Sequence, residues 1–194
     1  MPDCVLTARS RKRRPRQAGV HNRPLILPFL VFVAVAGFDQ LSKLWMIGYL
    51  DNRGTTQVLG QFFQLKLVFN RGGALGTDLG GGWFYLITSI LILGFVIYFI
   101  IANQNVKLIT IPLGAIAGGA VGNIIDRIRL GKVVDFLDFD FFDFDIMGLH
   151  VERWWTFNLA DSAITLGVIG LLIYIIFLSK SSESDNQGTI EVNP

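Results

Sequence analysis

Four long apolar runs constrain this chain more than any other feature of its sequence. They occupy residues 24–50, 83–102, 106–128 and 157–178. Each run is close to the roughly 20 residues that an α-helix needs to cross about 30 Å of hydrocarbon. Because 52% of the 194 residues are hydrophobic, a soluble core of this size could not enclose them. The sequence therefore predicts a membrane protein of the all-α class, with four transmembrane helices in one domain over residues 24–179.

The placement of charge predicts how these helices are oriented. A basic cluster precedes the first run and consists of Arg9, Arg11, Lys12, Arg13, Arg14, Arg16 and Arg23. The positive-inside rule keeps this end in the cytoplasm, and four spans return the C-terminus to the same side. Segments 51–82 and 129–156 are then extracytoplasmic. A nucleic-acid-binding arm is the competing interpretation of the cluster, but its position beside a membrane span disfavours that.

Regions outside the spans narrow the class of protein further. The tails, residues 1–23 and 180–194, are polar and predicted to be disordered. The first run is too long for a signal peptide, and no small-residue cleavage site follows it. The single cysteine, Cys4, lies in the first tail, so neither a disulfide framework nor a zinc site is expected. No HExxH, P-loop or GxSxG motif is present, which predicts chemistry without a metal or cofactor.

Polar side chains inside the spans are costly and need a reason. Asp39 and Lys43 lie four residues apart on one face of the first helix and can form an ion pair. The pair either orients the helix or contacts a substrate.

In the third span Gly114, Gly118 and Gly122 form a stripe that permits close helix packing. An adjoining face of the third span carries Gly119, Asn123, Asp126 and Arg127. The last two are predicted to form a structural ion pair.

The extracytoplasmic segments contain two alternating patterns. Residues 63–70 alternate with a period of two, which predicts a half-buried strand. This strand is expected to add an extended peptide along its edge, to rest as a hairpin on the membrane surface, or to do both. Residues 137–145 alternate phenylalanines with acids, which predicts an amphipathic strand or interfacial ribbon with its acids facing water. A hard-cation site is the alternative, but no glycine-punctuated calcium loop is present.

Two aspartates on the predicted outer side are candidates for one site. Asp135 follows the third span, and Asp161 lies on a polar stripe at the start of the fourth, with Asn158, Ser162 and Thr165. Two close carboxylates share a proton, so one can activate water while the other protonates a carbonyl oxygen. This favours an aspartic protease. A proton- or ion-coupled transporter and a noncatalytic scaffold remain as alternatives, although no internal repeat typical of transporters is evident.

Five motifs together carry a family resemblance. They are DQxxK at 39–43, NxG at 70–72, GGAxGNxxDR at 118–127, VVDF at 133–136 and FNxAD at 157–161. In this order on a four-span chain they resemble the lipoprotein signal peptidases, the bacterial type II signal peptidases. The resemblance implies an inner-membrane aspartic endopeptidase, a target of globomycin, that cuts prolipoproteins before their diacylglyceryl-modified cysteine. It also implies a small extracytoplasmic β-cradle, contact with membrane lipids, no nucleic-acid partner and a monomer.

The resemblance also assigns roles to residues. Asp135 and Asp161 match the catalytic pair. Residues matching the substrate-binding or site-supporting positions are Asn70, Gly72, Asn123, Arg127 and Asn158. Residues matching structural or supporting positions are Asp39, Lys43, Gly118, Gly119, Gly122, Asp126 and Ala160. The chain departs from the family at Gly73 and Leu75, where alanine and an aromatic are usual, and over residues 136–155, which are expected to form an extended flap.

Overall fold

A computed structural model of the chain describes residues 25–72, 81–140, 144–146, 149–151 and 156–178. The expectations for both tails and for Gly73 and Leu75 lie outside the described residues. The flap expected over 136–155 is described only in part.

Four helices form the membrane domain. They are α1 (Ile26–Leu50), α2 (Gly81–Ala102), α3 (Lys107–Leu130) and α4 (Leu159–Ile173), which continues as a π-helical turn, Tyr174–Leu178. All four are long and apolar enough to cross a membrane. Large apolar side chains face outward along three of them, as with Phe38 on α1, Leu91 on α2 and Phe177 beyond α4, each about two-thirds exposed. Such surfaces match hydrocarbon rather than water. The predicted four-helix membrane class is therefore confirmed.

Helix α3 occupies the centre of the bundle, because its glycines allow other backbones to touch it. It packs against α1, α2 and α4. A Cβ atom at Gly114 would lie 2.5 Å from the carbonyl oxygen of Pro28 on α1. A Cβ atom at Gly119 would lie 2.5 Å from the carbonyl oxygen of Ala160 on α4. No side chain fits at such distances, so the small residues set the helix spacing.

A three-stranded antiparallel sheet packs at one end of the bundle. Its strands, in spatial order, are β1 (Thr56–Leu59), β2 (Phe63–Asn70) and β3 (Val133–Phe139). The bounds of β2 are those predicted from the alternating pattern. The predicted alternation nevertheless breaks at a bulge between Leu65 and Val68. One extra residue there moves later side chains to the other face. As a result Phe69 is 41% exposed, with the Lys132 ammonium 4.5 Å from its ring centre.

Strand β3 is paired along both of its edges. Strand β2 lies on one side, and on the other the N–H of Leu137 donates to the Phe157 carbonyl at 2.8 Å. Phe139 stacks between Phe63 and Phe157, with ring centres 4.3 and 5.7 Å away. The expectation that the acids of this segment face water is wrong for Asp138, which is 3% exposed. The bridge from Leu137 to Phe157 covers the edge of β3 next to Asp138. A further short hairpin follows, β4 (Phe144–Ile146) with β5 (Leu149–Val151).

We expect Gly114→Ala to destabilise the bundle, because the added methyl group would overlap the Pro28 carbonyl. Overpacking of this kind costs about 1–3 kcal/mol. Gly94→Ala on α2 is the matched control, since nothing lies within 4 Å of the corresponding Cβ position. Thermal unfolding in detergent should give a lower midpoint for Gly114→Ala and an unchanged or higher one for Gly94→Ala. Equal midpoints would contradict the contact between α1 and α3.

Candidate active site

The two candidate aspartates meet where α3 ends and α4 begins. Gly131 ends α3 in the left-handed conformation, with φ of 68°, and its N–H donates to the Arg127 carbonyl. This turn sends the chain back along the end of the bundle as β3, which carries Asp135. The backbone N–H of Val134, just before Asp135, donates to the carboxylate of Asp126 at 3.1 Å. A tight glycine turn and one buried hydrogen bond thereby place this aspartate.

Asp161 is held by the start of its own helix. Asn158 is the N-cap of α4, and its side-chain oxygen accepts the N–H of Asp161 at 3.0 Å. The carboxylate of Asp161 accepts the N–H of Asn158 in return at 3.3 Å, completing a capping box. The helix dipole favours an anion at this position. The FNxAD sequence therefore encodes both the helix start and the orientation of its aspartate.

Asn158 also joins the two aspartates to each other. Its side-chain Nδ2 donates to Asp135 Oδ1 at 2.7 Å, while the residue caps Asp161. Asn70 Nδ2 donates to Asp135 Oδ2 at 3.2 Å, and Asn123 Nδ2 donates to Asp161 Oδ1 at 2.8 Å. With the N–H of Asn158, all four carboxylate oxygens have a donor. Asn158 is fully buried, so these contacts are shielded from solvent.

The environment of Asp135 favours its protonated form. Burial, and then the nearby charge of Asp161, raise the pKa of Asp135 to about 7, against the lowering effect of hydrogen bonds from Asn70 and Asn158. Asp135 is 2% exposed, whereas Asp161 is only half-buried. The two carboxylates therefore differ in access to water, which is the asymmetry that acid–base catalysis requires.

The remaining predicted polar residues surround this pair. The N–H of Gly72 donates to Asn70 Oδ1 at 2.8 Å, which turns the Asn70 amide nitrogen toward Asp135. Arg127 is half-buried, donates to the Ser89 hydroxyl at 3.4 Å and interacts electrostatically with both aspartates. Within the part of the chain described, no cluster of histidine, cysteine and acidic side chains could hold a metal ion.

Asp39 and Lys43, the two charged residues of α1, lie beneath the site. Lys43 Nζ lies 2.8 Å from Asp39 Oδ2, so the predicted ion pair forms. The same ammonium donates to Asn123 Oδ1 at 2.9 Å. Asp126 differs from its prediction, because its ion pair is with Lys43 at 2.9 Å and not with Arg127. Adjacent helical residues point about 100° apart and do not face each other.

Gln40 also belongs to this cluster, although no role was predicted for it. Its side-chain nitrogen donates to Asp126 Oδ1 and to the Gly122 carbonyl, both at 3.0 Å. A polar residue between Asp39 and Lys43 in an apolar span was the available signal. The glycine at 122 has a further role, because a Cβ there would collide with the carboxylate of Asp39.

Comparison with known proteins identifies the family of this chain. The family model for signal peptidase (SPase) II matches residues 31–177. The chain belongs to the signal peptidase II family. It is 36% identical over 162 residues to the lipoprotein signal peptidase of Chlorobium phaeovibrioides, covering 81% of this chain and 96% of that one. It is 34% identical to the lipoprotein signal peptidase of Clostridioides difficile, covering 81% and 99%.

Solved structures agree with this assignment. A bacterial membrane enzyme solved by the in meso method matches with a TM-score of 0.66 and 30% identity, covering 86% of this chain and 93% of that one. As a member of the signal peptidase II family, the chain is a protease that removes signal peptides from prolipoproteins. Its four apolar helices make it a multi-pass inner-membrane protein.

We expect substitutions at Asn158 to separate its two roles. Asn158→Ser keeps a cap for α4 but cannot reach Asp135, and Asn158→Ala removes both contacts. Alanine should be about 1 kcal/mol less stable than serine in thermal unfolding, the usual value of an N-cap. Cleavage by both variants should be about tenfold slower, because leaving a buried polar group without its hydrogen-bond partner costs roughly 1–3 kcal/mol. Wild-type cleavage by Asn158→Ser would exclude a role for the contact with Asp135.

Proposed function

We propose that this chain is an aspartic endopeptidase that cuts prolipoproteins before their diacylglyceryl-modified cysteine, with Asp135 and Asp161 as its catalytic pair. The observation that carries the proposal is the joining of the two carboxylates by Asn158, with a donor on each of their four oxygens. The family supports the class of substrate. The chemistry of the site supports the catalytic type.

The difference between the two aspartates assigns their roles. Asp161, which is half-buried, acts as the base and takes a proton from a water molecule whose oxygen attacks the scissile carbonyl carbon. Asp135, protonated, gives its proton to the carbonyl oxygen as the tetrahedral intermediate forms. When the intermediate collapses, the C–N bond breaks, Asp161 returns its proton to the leaving nitrogen, and Asp135 recovers the proton from the hydroxyl group. Protons balance over the cycle, and water is the only co-reactant.

The polar residues around the pair act in binding and support. Arg127 balances the negative charge of the two carboxylates, with which it interacts from the end of α3. Asn70 and Asn123 hold the aspartates by hydrogen bonds from their side-chain amides. The enzyme acts as a monomer, with both termini in the cytoplasm and the site toward the outer face.

Replacing either aspartate should abolish cleavage without unfolding the protein. Asp135→Asn and Asp161→Asn preserve size and keep one of the two acceptor oxygens but remove the acid or the base, which is worth about 10²- to 10⁴-fold in rate. The measurement is cleavage of a lipid-modified prolipoprotein by purified protein in detergent, beside thermal unfolding of each variant. Folded variants that cut like the wild type would disprove the catalytic pair. Failure of the wild type to cut would disprove the peptidase itself, and vesicle uptake would then test transport.

Cleavage should fall as the pH rises through about 7. The pKa of Asp135 is raised to about 7, so the carboxyl is protonated below that pH and loses its acidic proton above it. The charges that interact with it are Asp161 from α4, Lys43 from α1 and Arg127 from α3. The profile of kcat/KM against pH should therefore show an alkaline limb falling about tenfold per pH unit. A flat profile between pH 6 and 9 would show that Asp135 is not the acid.

A further inference from the structure

Lys43 is buried at the centre of the bundle and makes three short polar contacts. Its ammonium lies 2.8 Å from Asp39 and 2.9 Å from both Asp126 and Asn123. An ammonium has three N–H donors, so each is used. Lys43 is 2% exposed and the two carboxylates are equally enclosed. A cation held in this way has no freedom to change partners, and it fixes the groups around it.

Each of the two carboxylates bound by Lys43 also holds backbone next to a catalytic aspartate. Asp126 Oδ2 accepts the N–H of Val134 at 3.1 Å, and Val134 directly precedes Asp135. Asp39 Oδ1 accepts the N–H of Ala160 at 2.9 Å, and Ala160 directly precedes Asp161. The same arrangement therefore occurs twice, once on strand β3 and once on helix α4.

The third contact of Lys43 reaches the catalytic pair through a side chain. Lys43 donates to Asn123 Oδ1, so the amide nitrogen of Asn123 must point the other way. That nitrogen donates to Asp161 Oδ1 at 2.8 Å. Without the lysine, only the longer contact from Asn158 Nδ2, at 3.2 Å, would hold the Asn123 oxygen. The amide could then rotate and present its oxygen to a carboxylate, which would be repulsive.

We propose that Lys43 is a positioning residue that clamps the two catalytic aspartates at a fixed separation. It acts through Asp39 and Asp126, which hold the residue before each aspartate. This inference rests on the proposed function, because it takes Asp135 and Asp161 as the reacting groups. It goes beyond an ion pair that merely orients α1, because it makes the geometry of the site depend on one ammonium. Among the described residues, Lys43 forms no hydrogen bond or ion pair with Asp135 or Asp161, so it is not a catalytic residue.

A matched pair of substitutions at Asp126 tests the clamp. Both Asp126→Asn and Asp126→Leu remove the negative charge. Asparagine keeps an oxygen that can accept from Lys43 and from the N–H of Val134, and leucine has none. We expect Asp126→Leu to lower kcat about 100-fold, the cost of a misplacement near 1 Å, with KM changed less than about threefold. Asp126→Asn should recover at least about a tenth of the wild-type kcat.

The pH profile distinguishes positioning from stability. If the aspartates move apart in Asp126→Leu, the charge of Asp161 acts less on Asp135, and the alkaline limb should move to lower pH by about half a unit or more. It should stay in place in Asp126→Asn, which has lost the same charge. Rates are expressed per folded enzyme, using thermal unfolding of each variant. Thr110→Val, a buried polar substitution elsewhere on α3, controls for general destabilisation and should leave kcat and the pH limb unchanged.

Lys43→Met removes the clamp at its centre and should lower kcat about 100-fold where it folds. If Lys43→Met does not fold, the comparison of Asp126→Asn with Asp126→Leu still tests the clamp. Equal kcat values and pH limbs for Asp126→Asn and Asp126→Leu would overturn the clamp while Asp135→Asn and Asp161→Asn still report on the catalytic pair. If those two variants cut normally, the proposed function fails first and the clamp with it.

Discussion

The close approach of backbones along α3 is the constraint on which the rest of the molecule depends. Gly119 touches the Ala160 carbonyl, so α4 begins against α3 with Asp161 beside Asn123. The position that a Cβ of Gly122 would occupy is taken by the carboxylate of Asp39. Short polar side chains from three helices can meet only because α3 has no side chains at these two positions. A larger residue at either position would collide with the neighbouring helix and lengthen these hydrogen bonds.

Once the helices are this close, the polar cluster is enclosed and must satisfy itself. Moving a charge out of water costs several kcal/mol, and an ion pair offsets that cost only when its remaining donors and acceptors are also occupied. Among the described residues no buried side-chain nitrogen or oxygen lacks a partner. Lys43 and Gln40 occupy both oxygens of Asp126 and Oδ2 of Asp39, and the N–H of Ala160 occupies Oδ1 of Asp39. A network completed in this way has one low-energy arrangement, which suits a site that must hold two carboxylates in place.

Much of the fold could be predicted from the sequence, because its signals are local. The apolar runs give the helices to within two residues when the π-helical turn after α4 is counted, and alternation gives β2. The bulge between Leu65 and Val68 could not be predicted, since it depends on pairing with β3, far along the chain. The predicted ion pair between Asp126 and Arg127 was wrong for the same reason. The two residues are adjacent in sequence, but helix geometry directs the Asp126 carboxylate toward Lys43 on another helix. The pairing of Asp135 with Asp161 came from chemistry and motif resemblance, because no periodicity relates a strand residue to a helix residue 26 positions later.

The asymmetry of the aspartates follows from the two kinds of structure that carry them. Strand β3 is paired on both edges and packed against the bundle, so any side chain on its inner face loses water, and burial raises the pKa of Asp135. The first turn of α4 lies at the rim of the same enclosure, so Asp161 keeps partial access to water and gains the donors of a helix N-terminus. An enzyme that uses two identical residues as acid and base must make their surroundings different. Here the difference arises from placing one aspartate within a sheet and the other at the start of a helix, with Asn158 contacting both.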